Sequence, residues 1–288
     1  MKKFYEDRSR IYLPNKSYVI LRADGKAFHT FTKKMKRPFD EGFIEDMNET
    51  AIELCKNISG AKFAYVQSDE ISVFITDLDE IQSQSWFDNN IQKMVSISAS
   101  IATAAFNKNR IIREFSTHLI DEKGESHKSI SDKEFKKLSF AQFDSRVLTI
   151  PTLNEVMNYF LWRQQDCTRN SISMVAQSLY STKELHKKNS NDMQEMIFQK
   201  GINWDKYDPK LKRGRFIEKV TIINGKEAKI YKNEEGPAQY NFIKEEINGL
   251  LPFIKKEDVI RTNWVVSECP IFSKDWDFLK TRIPTGFM

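Results

Sequence analysis

YVILRADG (Tyr18–Gly25) and KFAYVQSDEISVFIT (Lys62–Thr76) are the two stretches whose reading decides the fold. Tyr-Val-Ile-Leu is too continuously apolar for a half-exposed strand, so residues 17–23 read as a strand buried on both faces, ending at Asp24-Gly25. The second stretch holds two apolar runs, Phe63–Val66 and Ile71–Ile75, separated by Gln67-Ser68-Asp69-Glu70. It reads as strand, tight turn, strand, with Ser68-Asp69-Glu70 as the turn. Each stretch therefore carries an acid at a strand tip. Carboxylates on neighbouring tips converge on hard cations, and two such ions about 4 Å apart clamp the attacking and leaving oxygens of phosphoryl transfer.

Working outward, Phe43, Ile44, Met47, Ala51, Ile52, Leu54 and Cys55 recur at helical spacing from Asp40, with Gly60 as the stop. A second helix is expected over 86–107, its packing face formed by Ile91, Met94, Val95, Ile97, Ser98, Ile101 and Ala105. Residues 119–137 are highly polar and read as an exposed excursion, and 141–150 as a strand closed by Pro151. The order strand, helix, strand, strand, helix, strand is the split βαβ arrangement of ferredoxin-like folds, including polymerase palms. The expected class is α+β, a palm-type sheet with helices on one face, and it places Asp24 beside Asp69. Residues 1–151 form the expected catalytic domain, and 152–288 a helical and hairpin region packed on it. Within the latter, 152–180 reads as a long helix entered through Thr152 and Asn154 with Glu155 in its first turn. A further helical stretch covers 184–201. Asn224-Gly225 signals a hairpin within 215–231. A last strand, 263–267, precedes an aromatic tail with Phe272, Trp276 and Phe278.

The 288 residues are 40% hydrophobic and 30% charged, an ordinary composition that excludes the disordered and membrane-spanning classes. A net charge of +5 is compatible with a polyanionic partner without requiring one. The three cysteines, Cys55, Cys167 and Cys269, are scattered and include no Cys-x-x-Cys pair, which argues for a reducing compartment and against structural zinc. The first ten residues lack the apolar core of a signal peptide, and no run reaches the ~18 apolar residues of a membrane span. A cytoplasmic enzyme is the expectation.

Asp-Gly alone is a common turn, but a second acidic turn on an adjacent tip favours chemistry over geometry. Arg22-Ala-Asp24-Gly25-Lys-Ala-Phe28-His29, Gln67-Ser68-Asp69-Glu70, Phe143-Asp144-Ser145-Arg146 and Trp162-Arg163-Gln164-Gln165-Asp166 together resemble the tRNA-His guanylyltransferase family and its Thg1-like relatives. The similarity runs from about Tyr18 to Arg215. It implies a polymerase-like palm that adds nucleotides to the 5′ end of tRNA in the 3′-to-5′ direction, using ATP and GTP or another NTP. Asp24, Gly25 (through its carbonyl) and Asp69 would hold two Mg2+ ions, with Asp24, Asp69 and Glu70 as the catalytic acids. Glu70 would orient a metal-bound water or ligand. Lys26, Ala27, Phe28 and His29 would wrap the triphosphate through backbone amides, with Ser68 and Lys93 on the same phosphates. Lys93 is alternatively a solvated helix residue, and His29 a loop residue in a partly apolar niche. Arg146 pairs with Asp144 or with a phosphate. The resemblance also implies a homotetramer built as a dimer of dimers.

Two departures from the family pattern are Ser145 and Val66, where glycine is usual. Thr168-Arg169-Asn170-Ser171 departs further, standing where dedicated tRNA-His enzymes have a His-Ile-Asn-Asn-like sequence, and this favours templated 5′-end repair over addition of G at position −1. Two basic runs, Lys187-Lys188 and Lys210, Lys212, Arg213 and Arg215, offer phosphate contacts for RNA or a solvated face. Trp162, Trp204 and Trp276 read as core or interface residues. A catalytically silent RNA-binding module and a palm-type nucleotide cyclase are the competing classes. The intact acids count against the first, and the Trp162–Asp166 motif has no reason to exist in the second.

Overall fold

The computed structural model describes residues 1–118, 139–223, 226–228, 230–232, 241–243 and 260–285. The polar stretch 119–137 and the Asn224-Gly225 turn lie outside the described residues. β1 (Tyr18–Gly25) sits between β3 (Glu70–Thr76) and β4 (Phe143–Ile150), and β2 (Ala61–Gln67) joins β3 to β5 (Arg215–Ile223). With β6 (Lys226–Ala228) the order is β4-β1-β3-β2-β5-β6. β9 (Ile260–Ser267) also pairs with β5, giving seven strands, all antiparallel to their neighbours. β7 (Ile230–Lys232) and β8 (Asn241–Ile243) form a separate ladder.

Side-chain alternation sorts the apolar runs onto two faces. Val19, Leu21, Ala23, Val66, Ile71 and Val73 pack on one face against Met47, Ala51 and Leu54 of α2 (Glu41–Asn57) and Met94, Ala102 and Phe106 of α3 (Ile91–His118). Ile20, Phe63, Tyr65, Phe74 and Phe216 face the other way, against Val156 and Phe160 of α4 (Leu153–Leu179) and against Phe272, Leu279 and Ile283. Helices therefore cover both faces, α2 and α3 on one and α4 on the other, which is why the strands lack a solvated register. The sheet also runs on past residue 151, because β5 hydrogen-bonds to β2.

Helix ends follow their capping chemistry. Asp40 Oδ1 accepts from Phe43 N at 2.8 Å to open α2, and Thr152 Oγ1 accepts from Glu155 N at 3.2 Å to open α4. Gly60 ends the α2 connection at φ +81°, where a Cβ would lie 2.8 Å from Thr76 O. α3 differs from the expectation: a 3-10 turn at Trp86–Asn89 precedes it and it runs on to His118. Its buried stripe is Met94, Ser98, Ala102, Ala105 and Phe106, spaced mainly four apart, and Ile97, one position off that stripe, is 40% exposed. In 184–201 only α5 (Ser190–Gln199) is helical, because Lys187 at φ +60° breaks the run and Asn189 restarts it with a capping box to Asp192. Of the core and interface readings of Trp162, the first does not hold: it is 51% exposed, its ring stacked on Arg163. Trp276 is also exposed, whereas Trp204 packs among Ile172, Val175 and Ile197.

Five phenylalanines brace the segment after Asp24. α1 (Phe28–Phe31) is a single turn whose Phe28 ring lies 4.9 to 5.6 Å from the rings of Phe31, Phe106 and Phe143, with Phe43 also in the cluster. Phe106 is fully buried there. Phe106→Ala is expected to cost about 3–5 kcal/mol in urea unfolding, whereas Asp40→Ala, which removes the α2 cap and the bond from the Lys36 amide, should cost about 1–2 kcal/mol.

Candidate active site

Backbone pairing assembles the acids. Asp24 lies opposite Glu70 on β3 and opposite Asp144 on β4. Gln67 pairs with Glu70, leaving Ser68-Asp69 as a two-residue turn, with Ser68 at φ +45°. The amide of Gly25 donates to Asp69 O at 3.1 Å, tying the turn to the tip of β1. Asp24 and Asp69 are thus brought to adjacent tips, as the element order implied.

Both carboxyls are held above the ordinary aspartate range. Burial pushes Asp69 up to about 6, and repulsion from Asp24 and Glu70 adds to this while the Ser68 hydroxyl opposes it. Burial also raises Asp24, as does Asp144, while Arg146, 3.7 Å away, pulls it down. Among the described residues no basic side chain forms an ion pair with Asp69. Two desolvated, mutually repelling carboxylates fit a divalent cation better than they fit water. Among the described residues no group of three or more His, Cys, Asp or Glu side chains is placed to hold a metal ion. A pair of carboxylates would suit Mg2+, which takes one or two and draws its remaining ligands from water and substrate phosphates.

Glu70 is engaged differently. Its carboxylate accepts from Arg163 Nη1 at 3.0 and 3.3 Å, from Gln67 Nε2 at 3.2 Å and from Ser72 Oγ at 3.4 Å, and Arg22 Nε lies 3.8 Å away. Arg146 bonds Asp144 at 3.0 Å.

The 26–29 segment turns sharply away from β1. A Cβ on Gly25 would lie 2.3 Å from the Phe28 ring, so packing requires glycine here. The Lys26 amide donates to Gln142 O at 2.8 Å, and its ammonium to Gln142 Oε1 at 3.0 Å. Ala27 adopts the left-handed conformation, φ +55°, and starts α1, whose first N–H groups have no acceptor within the helix. Phe28 is buried in the aromatic cluster, so only its backbone is available to a ligand. The His29 ring is exposed, with Nδ1 3.2 Å from Thr30 Oγ1. It lines a cleft of ≈390 Å³ together with Asp69, Ser68, Lys36 and Asp40, closed on the far side by Met174 and Gln177 of α4.

Lys93 lies in the first turn of α3 with its ammonium over the Phe87 ring, 5.7 Å from the centroid. Five residues on, the Ser98 hydroxyl meets that of Ser145 at 2.8 Å, beside Asp144 on β4, and Thr103 Oγ1 accepts from the amide of Phe143, the partner of Gly25, at 3.1 Å. Met174 and Gln177 are site neighbours that sequence reasoning did not single out, and Arg163, quoted within the Trp162 motif, was given no role there. Their helical spacing after the Trp162 motif was the available signal, but Met and Gln announce no chemistry.

A family model for tRNAHis guanylyltransferase matches residues 1–151. A bacterial tRNA(His) guanylyltransferase (Thg1)-like protein in complex with ATP superposes with a TM-score of 0.71 and 37% identity, over 97% of this chain and 96% of that one. The chain belongs to the tRNAHis guanylyltransferase family. The GTP complex of a bacterial Thg1-like protein matches with a TM-score of 0.68 and 36% identity, over 97% and 95% of the two chains. Among curated tRNAHis guanylyltransferases, that of Debaryomyces hansenii is 26% identical, over 73% of this chain and 76% of its own. Uncharacterized protein R259 of Acanthamoeba polyphaga mimivirus is 27% identical, over 77% and 76%. The tRNAHis guanylyltransferases are nucleotidyltransferases, so this chain is of that enzyme class. Among the described residues no helix is long and apolar enough to cross a membrane.

The raised Asp69 carboxyl has a definite sign. The folded state holds its proton up to about pH 6 and the unfolded chain only to about 4, so stability falls as pH rises through that interval. In chelator-treated protein this loss should amount to on the order of 2–3 kcal/mol. Asp69→Asn should flatten it and should melt higher than the parent at pH 7.5, as read from thermal unfolding.

Proposed function

We propose that this enzyme adds nucleotides to the 5′ end of tRNA in the 3′-to-5′ direction, with Mg2+. The observation that carries the reading is the pair Asp24 and Asp69 on adjacent strand tips, both with raised pKa values, Asp69 lining the cleft that contains His29 and Ser68. In the first step a 5′-phosphate oxygen of the RNA attacks the α-phosphorus of ATP, and pyrophosphate leaves. In the second, the 3′-hydroxyl of an NTP attacks that 5′-phosphorus and AMP leaves. No covalent side-chain nucleophile is needed in either displacement, so positioning and charge neutralisation supply the acceleration. Asp24, Asp69 and the Gly25 carbonyl would hold the magnesium, which when bound supplies Lewis-acid stabilisation of the phosphoryl oxygens.

The remaining roles belong to the protein's own groups. The amides of Ala27, Phe28 and His29 meet the triphosphate, since that of Lys26 is already bonded to Gln142. Ser68, in the left-handed turn, presents its hydroxyl at the same cleft. Lys93 meets phosphate only on a molecule that reaches the Phe87 end of α3. Residues 1–151 are the catalytic, palm-type unit. Residues 152–288 carry α4, and Lys187, Lys188, Lys210 and Arg213 are the cations they offer to RNA, within a cytoplasmic homotetramer; Lys212, bonded to Asp205, and Arg215, bonded to Asn48, are buried and serve the fold instead.

Templated repair of truncated 5′ ends is the preferred specificity. The solved structures above 35% identity are Thg1-like proteins, and the Thr168–Ser171 segment differs from the dedicated pattern. Addition of G at position −1 is the second reading, favoured by the names of the curated relatives. Single-turnover reactions with labelled GTP and 5′-truncated or full-length tRNA separate them. Extension of the truncated RNA is expected, with Asp24→Ala and Asp69→Ala at background. Inactivity of the parent with Mg2+ present, or full activity of Asp69→Ala, would overturn the assignment.

A further inference from the structure

The motif Trp162-Arg163-Gln164-Gln165-Asp166 lies on α4, outside the acid-bearing strands, and its contacts are specific. Gln164 Nε2 donates to Pro270 O at 2.8 Å, and its Oε1 accepts from the amide of Phe272 at 2.9 Å. Arg163, 6% exposed, crosses to the sheet and donates to both Glu70 oxygens. Trp162 stacks on that guanidinium, its ring centroid 3.4 Å from Cζ, and Asp166 lies 3.5 Å from Nη1. Arg163 is thus fixed on three sides. Its one target, Glu70, is the residue directly after Asp69 and the backbone partner of Asp24.

From this geometry we infer that Arg163 is a positioning residue for 5′-end nucleotide addition, acting through Glu70 to set the separation of Asp24 and Asp69. The inference rests on the function proposed above. Four groups donate to or approach Glu70 from the sheet and from α4, which leaves its carboxylate to orient the turn. Nη1 alone bridges both Glu70 oxygens, held by the stacking of the planar guanidinium on Trp162, so lysine at 163 restores the charge but not the stacked plane that fixes the angle.

The test uses the full chain with Arg163→Met, Arg163→Lys and Glu70→Gln, alone and combined. Arg163→Met should lower single-turnover kcat about 10²-fold while the KM for GTP stays within about 3-fold, because a misplacement near 1 Å costs the former and not the latter. Arg163→Lys should recover part of the rate, and Arg163→Met/Glu70→Gln should be no slower than the slower single variant. Mn2+ titration followed by electron paramagnetic resonance should show weakened ion binding in Arg163→Met, in a sample whose circular dichroism matches the parent. Parental kcat and Mn2+ affinity in Arg163→Met would overturn the inference. So would multiplicative losses in the double variant, or a loss confined to thermal stability. An inactive parent would instead defeat the proposed function, and the Mn2+ titration would still decide whether Arg163 sets the acids.

Discussion

Seven consecutive residue pairs between β1 and β3, from Tyr18–Thr76 to Asp24–Glu70, are the constraint on which the rest of the structure depends. They bring Asp69 to the tip of β1, where the Gly25 amide completes the closure. The register cannot drift. A slip of one residue would exchange the face occupied by Val19, Leu21 and Ala23 with that of Ile20 and Arg22, placing a guanidinium among the α2 and α3 side chains. The apolar alternation that builds the two cores thereby holds two mutually repelling carboxylates together.

Much of this was legible locally. An acid ending an apolar run, a tight acidic turn between two runs, and the capping residues Asp40 and Thr152 each carry their meaning within a few positions, because side-chain period and backbone capping are short-range physics. What was not legible is long-range. Nothing near Glu70 announces a cation 93 residues later, so it read as an acid orienting a metal-bound water or ligand, with no sign of the Arg163 that holds it. Lys93 was tied to phosphate by the family resemblance alone, and its ammonium lies over the Phe87 ring. Trp162 read as core or interface because indole is large and apolar; it covers a guanidinium at the surface, which removes the core reading.

α4 joins what the sequence divides. From one helix, Val156 and Phe160 complete the core beneath β1 and β3, Arg163 grips Glu70, and Met174 and Gln177 wall the cleft. A rigid rod with 1.5 Å of rise per residue spans from core to cleft within these positions, so a displacement of the helix is felt at the acids and at the ligand together.

Phe272, Leu279 and Ile283 belong to the same core as Ile20, Phe63 and Phe74, and Gln164 holds the backbone around Pro270 and Phe272. In a chain made from its N-terminus, the strands bearing Asp24 and Asp69 leave the ribosome long before the residues that cover their second face. At the elongation rates of living cells, about 5–20 residues per second, the synthesis of some 200 residues separates the two events, an interval of tens of seconds. The acidic tips are therefore an early product of synthesis and the completed fold around them a late one. In between, an apolar sheet face waits for its cover, so this enzyme's encounter with chaperones is written into the position of its last aromatic residues.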